Sequence, residues 1–244
     1  MGRIIILAMT SLALVAYSMT ALWIGINDIT TINAIERLPL IFSPVGFVYS
    51  FSFILYAGII TYVWQAYQHR HTIFTITRLQ VFLFVSASIF QIAFFHTWHY
   101  EHYIASLILL VLQLLSLFGL HLTYPIHREN VILRMPIAMW LGWNLFFAFI
   151  IVSYIMLYFE WHGLGLSNAL WAVILLTAGA AIALHLRYHH FDRITPAIFI
   201  FGYIGIIVAN GFDELFVSAA ALFLCGVMVF GILFVKKKRI PTSP

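Results

Sequence analysis

Long apolar runs separated by short polar segments divide the chain into eight stretches. An α-helix needs about 20 mostly apolar residues to cross a bilayer, whereas a barrel strand needs only about 10 residues of alternating polarity. The stretches match the first pattern, and we number them as spans one to eight. They are residues 4–26, 41–67, 79–97, 103–124, 134–158, 169–186, 195–210 and 215–235. The pattern predicts an all-α fold, a polytopic membrane helical bundle of eight transmembrane helices.

The composition agrees with this interpretation. Of the 244 residues, 64% are hydrophobic and 8% are charged, whereas about 25% are charged in a soluble domain. A soluble protein of this composition would lack the polar groups to cover its exterior. We therefore expect an integral membrane protein whose principal partner is the lipid bilayer. The single cysteine, Cys225, lies within an apolar run, so no disulfide can form within the chain.

The placement of charge predicts the orientation of the spans. If the N-terminus is cytoplasmic and the spans alternate, 11 of the 12 lysines and arginines fall on the cytoplasmic side, and Arg37 is the exception. Six of the eight acidic residues fall on the opposite side. This asymmetry follows the positive-inside rule and predicts that both termini are cytoplasmic. The basic run 236–239 then anchors the last span beside anionic headgroups, and we expect no nucleic acid partner.

The sequence offers little that points to catalysis. It shows no nucleophile paired with a base and no pair of carboxylates within the spans, and lysine occurs only at 236–238. A retinal-binding protein is excluded, because no span carries a lysine for the Schiff base. We therefore expect no catalytic residues and a binding protein more than an enzyme.

Histidines leave one enzymatic alternative open. His185, His189 and His190 have one-turn spacing near the end of span six, as in the histidine boxes of membrane metalloenzymes that modify lipids. The chain holds one such box, and we interpret these residues as interfacial side chains that bind no metal. A small-solute transporter is a further alternative, but residues 1–124 and 134–235 show no internal repeat.

Small residues in the later spans predict close helix packing. They are Ala178–Ala181 in span six and Gly202 and Gly205 in span seven. Small side chains let helix backbones approach each other within a membrane. We interpret them as packing contacts within the bundle, and they also allow a homodimer.

Proline and glycine open the second span, where a membrane helix does not require them. The segment reads SPVGFVYS from Ser43, and proline suits a rigid entry to a helix because its φ is fixed. We expect Pro44 and Gly46 to lie just inside this helix. Aromatic residues at the mouths of the spans, together with this broken backbone, suit a pocket for a flat apolar ligand.

Three motifs carry a resemblance to a known family. They are SPVGFVYS, the segment TWHYEHY that we expect to form the turn between spans three and four, and MPIAMWLGW at the start of span five. Their order resembles the tryptophan-rich sensory protein (TspO, translocator protein) family in its long bacterial form. The resemblance covers residues 1–162, a five-helix membrane unit, and leaves residues 163–244 as a three-helix extension with a basic tail. Phe47 and Phe53 replace two tryptophans of the family pattern.

The resemblance implies a membrane sensor or receptor of a bacterial cell membrane. It implies that the first five spans bind a hydrophobic small molecule, either a porphyrin or haem or a sterol-like or isoprenoid-like lipid, with no cofactor required. The ligand-binding residues it implies are Pro44, Gly46, Phe47, Phe53, Tyr56, Trp98, His99, Trp140 and Trp143. Trp140 and Trp143 begin span five from the cytoplasmic side, so packing in the lower core is the alternative for this pair.

Overall fold

The computed structural model of the chain describes residues 1–70, 75–124 and 131–235. Helices occupy most of this part, and the basic run 236–239 lies outside it. The helices are α1 Gly2–Met19, α2 Thr31–Ile35, α3 Phe51–Gln68, α4 Arg78–His99, α5 Tyr103–Leu122, α6 Val131–Tyr158, α7 Asn168–His190, α8 Ile194–Asn210 and α9 Leu215–Phe234.

Each predicted span corresponds to one helix. In the described part of the chain, seven helical segments are long and apolar enough to cross a membrane, and α8, the predicted short seventh span, has 17 residues. A π-helical turn extends α1 to Ile24, and a 3₁₀ turn at Gly46–Ser50 leads into α3. The protein is therefore an all-α polytopic membrane bundle, as the hydrophobic pattern predicts.

Side-chain contacts show which helix ends lie together. The Arg3 guanidinium near the start of α1 donates to the carbonyl of Ile76, just before α4. Arg187 near the end of α7 donates to the carbonyl of Ile232 near the end of α9. Because the spanning helices alternate in direction and are even in number, the start of α1 and the end of α9 lie at the same end of the bundle. We call this the termini end and the opposite one the far end.

The entry to the second span differs from its prediction. The expected helix begins at residue 41, but helical structure begins at Gly46, so Pro44 lies outside it. The physical reason is the extended backbone of Val45, whose N–H donates to the carbonyl of Gly205 in α8 at 3.2 Å and joins no turn of α3. The proline therefore ends an extended segment that packs on α8.

The long connection before this entry contains a helix that the hydrophobic pattern does not predict. Gly25 adopts a φ of 112° where α1 ends, and α2 follows at Thr31–Ile35. The Thr30 hydroxyl caps α2 by accepting the N–H of Asn33 at 3.1 Å. At five residues, α2 is too short to show an amphipathic period, which explains why it is missed.

The predicted turn between spans three and four is also shorter than expected. Helix α4 continues through His99, so Trp98 and His99 are helical and the turn consists of residues 100–102. Glu101 takes a positive φ of 61° there, and its carboxylate accepts a hydrogen bond from Arg37 at 2.8 Å. This difference affects the candidate site, because Trp98, as part of α4, points into the bundle.

The small residues of α8 serve contacts within this chain. A Cβ added at Gly202 would lie 2.4 Å from the ring of Phe146 in α6, and one at Gly205 would lie 2.2 Å from Val48. The glycines therefore let α8 approach both α6 and the opening of the second span. Residues 163–244 contribute this helix, so the predicted extension packs directly on the predicted five-helix unit.

Candidate ligand-binding site

One face of α4 supplies the centre of the first five spanning helices. Phe84, Gln91 and Trp98 recur at seven-residue spacing, which places them on one side of the helix. All three are buried, and Gln91 has 2% of its surface exposed. They mark three successive levels through the bundle, with Phe84 toward the termini end and Trp98 toward the far end.

The Gln91 amide connects five helices. Its nitrogen donates to the Ser18 hydroxyl of α1 at 3.1 Å and to the Tyr56 hydroxyl of α3 at 2.9 Å. Its oxygen accepts from the Gln113 amide of α5 at 2.7 Å and from the Trp140 indole of α6 at 2.6 Å. We call these five side chains the Gln91 network.

Both donors and both acceptor sites of the Gln91 amide are therefore used. An unpaired polar group in the hydrocarbon region is costly, so the network stabilises one arrangement of α1, α3, α5 and α6 around α4. One acceptor remains: the side-chain oxygen of Gln113 is buried with no hydrogen-bond partner among the described residues.

Aromatic rings enclose the network toward the termini end. Phe84 meets the Trp140 ring edge-on at 5.4 Å between centroids, and it stacks on Tyr62 at 5.4 Å. The Tyr62 and Tyr124 hydroxyls lie 2.7 Å apart. Tyr124 lies just beyond the end of α5 and is buried, with 5% of its surface exposed.

A second group of rings lies toward the far end, which we call the outer aromatic cluster: Trp98, Tyr103, Tyr154 and Tyr158. Trp98 meets Tyr154 at 4.8 Å and Tyr103 at 5.0 Å between centroids, and Tyr103 meets Tyr158 at 4.5 Å. The indole N–H of Trp98 is buried and has no hydrogen-bond partner in the described structure. The cluster therefore combines large apolar faces with one unpaired donor.

His99 lies beside this cluster and is held by contacts with protein atoms. Its Nδ1 lies 2.7 Å from the carbonyl of Phe95, and its Nε2 lies 3.5 Å from the Thr31 hydroxyl of α2. Thr31 in turn donates to the carbonyl of Ala21. These contacts hold α2 against α1 and α4 and direct both ring nitrogens of His99 to protein atoms.

The other candidate residues lie apart from the two clusters. Trp143 is buried against Phe51 at 5.2 Å, which is a packing contact at the start of α3. Phe47 and Phe53 are about half exposed on the outside of the bundle. Phe47 meets Phe201 edge-on, and Phe53 stacks on Trp23.

Pro44 and Gly46 border an open concavity at the far end, formed with the end of α8. The structure thus brings Tyr56 and Trp140 together through Gln91, and it places Trp98 and His99 one level above. It does not gather Pro44, Gly46, Phe47, Phe53 and Trp143 with them.

Three residues that organise the site are not among those predicted from the sequence. Ser18, Gln91 and Gln113 are polar side chains within apolar spans, and such residues are costly in a membrane unless they are paired. The two glutamines stand in SIFQIAFF and LVLQLLS, and a search for uncharged polar residues at mid-span would have found them. The prediction rested on ionisable groups within the spans, so these uncharged polar residues were not included.

The side chains of the site are closely packed. Four of the concavities in the described part of the chain are lined by residues other than Tyr56, Trp98 and Trp140. A far-end one, between Phe42, Trp161 and Trp171, has a volume of about 70 Å³. Within the candidate site, Tyr56, Trp98 and Trp140 are each at most 3% exposed, so a ring-sized guest between α1, α3, α4, α5 and α6 requires side chains to move.

The histidine box does not form a metal centre from described residues. The His185 and His189 rings lie 4.3 Å apart, yet no group of three or more metal-ligating side chains comes together in residues 1–70, 75–124 and 131–235. The arrangement does not favour the alternative of a lipid-modifying metalloenzyme.

Comparison with known proteins gives one match. A family model described as TSPO-like protein matches residues 4–234. The match extends past residue 162, the limit of the motif-based resemblance, through all of α7, α8 and α9. No curated protein and no solved structure matches the chain.

Proposed function

The chain belongs to the TSPO-like protein family, and from this premise we propose that it binds a flat hydrophobic molecule between its first five spanning helices. The ligand class is a porphyrin, including haem, or a sterol-like or isoprenoid-like lipid. We place the site between the Gln91 network and the outer aromatic cluster. We also propose that the protein acts as a receptor for this ligand in a bacterial cell membrane.

The observation that carries the proposal is that two buried polar atoms lack partners among the described residues, one in the outer aromatic cluster and one in the Gln91 network. Trp98 offers a buried indole donor, and Gln113 offers a buried amide acceptor. Trp98 follows Gln91 by seven residues, about 10 Å along the axis of α4. Apolar walls with a few polar groups that fix orientation are typical of small-molecule sites.

Binding must open the packed layer. Trp98, Tyr103 and Tyr154 are each at most 5% exposed and contact one another. The ligand therefore selects a state in which these rings have separated, and its apparent affinity falls by the fraction of molecules in that state. Such a site responds to its ligand by a change of side-chain packing, which suits a receptor.

The surroundings of His99 bear on the choice between haem and a metal-free porphyrin. Coordination of haem iron by His99 would compete with its contacts to Phe95 and Thr31, which help to hold α2. Once the rings have separated, ring contacts and hydrogen bonds from this layer would hold a porphyrin without requiring iron. We expect metal-free protoporphyrin to bind at least as tightly as haem.

A fluorescence titration tests the proposal. Protoporphyrin added to the full chain in detergent should quench tryptophan emission saturably at micromolar concentrations, with a shift of the porphyrin spectrum. Trp98→Phe keeps an aromatic ring but removes the unpaired N–H, so the affinity should fall about fivefold, the value of one net hydrogen bond. A sterol and a long-chain isoprenoid, added as competitors, distinguish the two ligand classes.

Trp171→Phe provides the matched control. Trp171 lies in α7, and its indole donates to the carbonyl of Gly163 at 2.8 Å, outside the proposed site. Its replacement should leave the affinity unchanged. The proposal is wrong if neither porphyrin binds saturably and neither lipid alters the emission, or if the two variants weaken binding equally.

A further inference from the structure

An apolar groove runs along the outside of α5, α6 and α7. It has a volume of about 300 Å³, and its lining presents apolar surface without polar atoms. Val111, Leu115 and Phe118 form its wall on α5, Leu141 and Leu145 its wall on α6. The groove is separate from the Gln91 network and the outer aromatic cluster, which lie inside the bundle.

All three walls lead to one group of basic side chains at the termini end. His121 follows Phe118 on α5, Arg134 precedes Leu141 by seven residues on α6, and His185 and His190 lie at the end of α7. We call His121, Arg134, His185 and His190 the basic cluster. His185 itself lines the groove, so the apolar channel and the cluster are continuous.

Hydrogen bonds fix the geometry of the basic cluster. Arg134 Nη2 lies 2.9 Å from Nε2 of His121 and also donates to the carbonyl of His190. The ring of His190 meets Phe118 edge-on at 5.6 Å. These contacts link Arg134 through His190 to Phe118, which lines the groove, and the described structure records no bond from Nη1 or Nε of the arginine.

The described part of this end carries more positive than negative charge around the cluster. Neither Arg134 nor the buried Arg187 has a carboxylate at ion-pair distance among the described residues. The buried Asp192 interacts electrostatically with Arg134, Arg187, His121 and His190, and its carboxylate accepts from the N–H groups of Ile194 and Thr195 and from the Thr195 hydroxyl. Arg193 lies at the same end, so three arginines face this one carboxylate. His121 is 1% exposed, and its Nδ1 has no partner in the described structure.

We propose that this groove is a binding site for an anionic phospholipid of the surrounding bilayer. One acyl chain lies along the groove, and the phosphate lies against Arg134 and the exposed His185 of the basic cluster. Charge complementarity selects this occupant, because basic pockets between membrane helices bind anionic headgroups. An apolar helix of a second copy would offer no anion to balance the net positive charge that Arg134, Arg187 and Arg193 leave beside Asp192.

Native mass spectrometry of the purified full chain tests the proposal with two lipids of identical acyl chains, phosphatidylglycerol and phosphatidylcholine. Phosphatidylglycerol should be retained about fivefold more strongly, the factor expected for one cation near an anionic headgroup. Glycerophosphoglycerol, which lacks the chains, should not be retained. Arg134→Gln should remove the preference between the lipids.

A second substitution, in the wall of the groove, tests the proposal even if Arg134→Gln fails to fold. Leu115 is 63% exposed on the groove wall, so Leu115→Trp fills the groove without disturbing the interior and should abolish the retention of phosphatidylglycerol. Leu222 of α9 is 65% exposed and lies away from the groove, and Leu222→Trp should retain the lipid as the unmodified chain does. The proposal is overturned if the unmodified chain retains both lipids equally, or if Leu115→Trp retains phosphatidylglycerol unchanged. It is also overturned if the unmodified chain is a dimer that Leu115→Trp dissociates.

Discussion

Replacing Gln91 with leucine is expected to lower the free energy of unfolding by about 2–4 kcal/mol. The substitution removes four hydrogen bonds that join α4 to α1, α3, α5 and α6. Hydrogen bonds between membrane helices contribute about 0.6 kcal/mol each on average and up to about 1.7 kcal/mol. The loss can be measured by titrating the protein in mixed micelles with a denaturing detergent and following the circular dichroism.

Ser88→Ala is the matched control for this substitution. Ser88 lies one turn from Gln91 on the same helix and is fully buried, but its hydroxyl donates to the carbonyl of Phe84 within α4. Removing it breaks no bond between helices, so stability should change by less than about 1 kcal/mol. Equal destabilisation by both substitutions would show that Gln91 does not connect the helices as described.

Gly205→Ala is expected to destabilise the protein by about 1–3 kcal/mol, the usual cost of overpacking. The added Cβ would lie 2.2 Å from Cγ2 of Val48 and 3.0 Å from Cβ of Pro44. Relief requires α8 and the opening of the second span to separate, which also stretches the bond between Val45 and Gly205. The same detergent titration measures the loss.

The control for Gly205 is another glycine in a helix of the bundle. Gly226 of α9 has no atom within 4 Å of an added Cβ, and alanine favours helix over glycine by about 1 kcal/mol. Gly226→Ala should therefore leave stability unchanged or increase it. Opposite signs for the two substitutions would establish the tight approach of α8, whereas two stabilising results would contradict it.

The hydrophobic pattern predicted the spans because membrane insertion imposes length and polarity directly on the sequence. The predicted stretch 103–124 and α5, at Tyr103–Leu122, begin at the same residue. The predicted start of the second span was wrong because Pro44 and Val45 lie against Gly205, more than 150 residues away in the sequence. Such a contact leaves no local periodicity. The short α2 depends on its Thr30 cap and on Thr31, whose hydroxyl bonds to the end of α1.

The candidate site was predicted less completely than the fold. Tyr56, Trp98 and Trp140 emerged from the motif resemblance, since aromatic residues are prominent in the family pattern. Gln91 and Gln113 were not predicted from the resemblance, although they determine where those rings meet. A motif records which residue types occur in order, whereas the network depends on which faces of five helices turn toward one point.

The bond between Val45 and Gly205 has a consequence for shortened versions of the protein. Asn210 makes a second hydrogen bond between these segments: its side-chain amide donates to the carbonyl of Ile41 at 2.9 Å. A polypeptide truncated at residue 162 would lose both anchors and leave the backbone polar groups of residues 41–45 to find other partners near the membrane surface. We therefore expect a five-helix version to be less stable than the full chain, because α8 holds the entry to the second span in place.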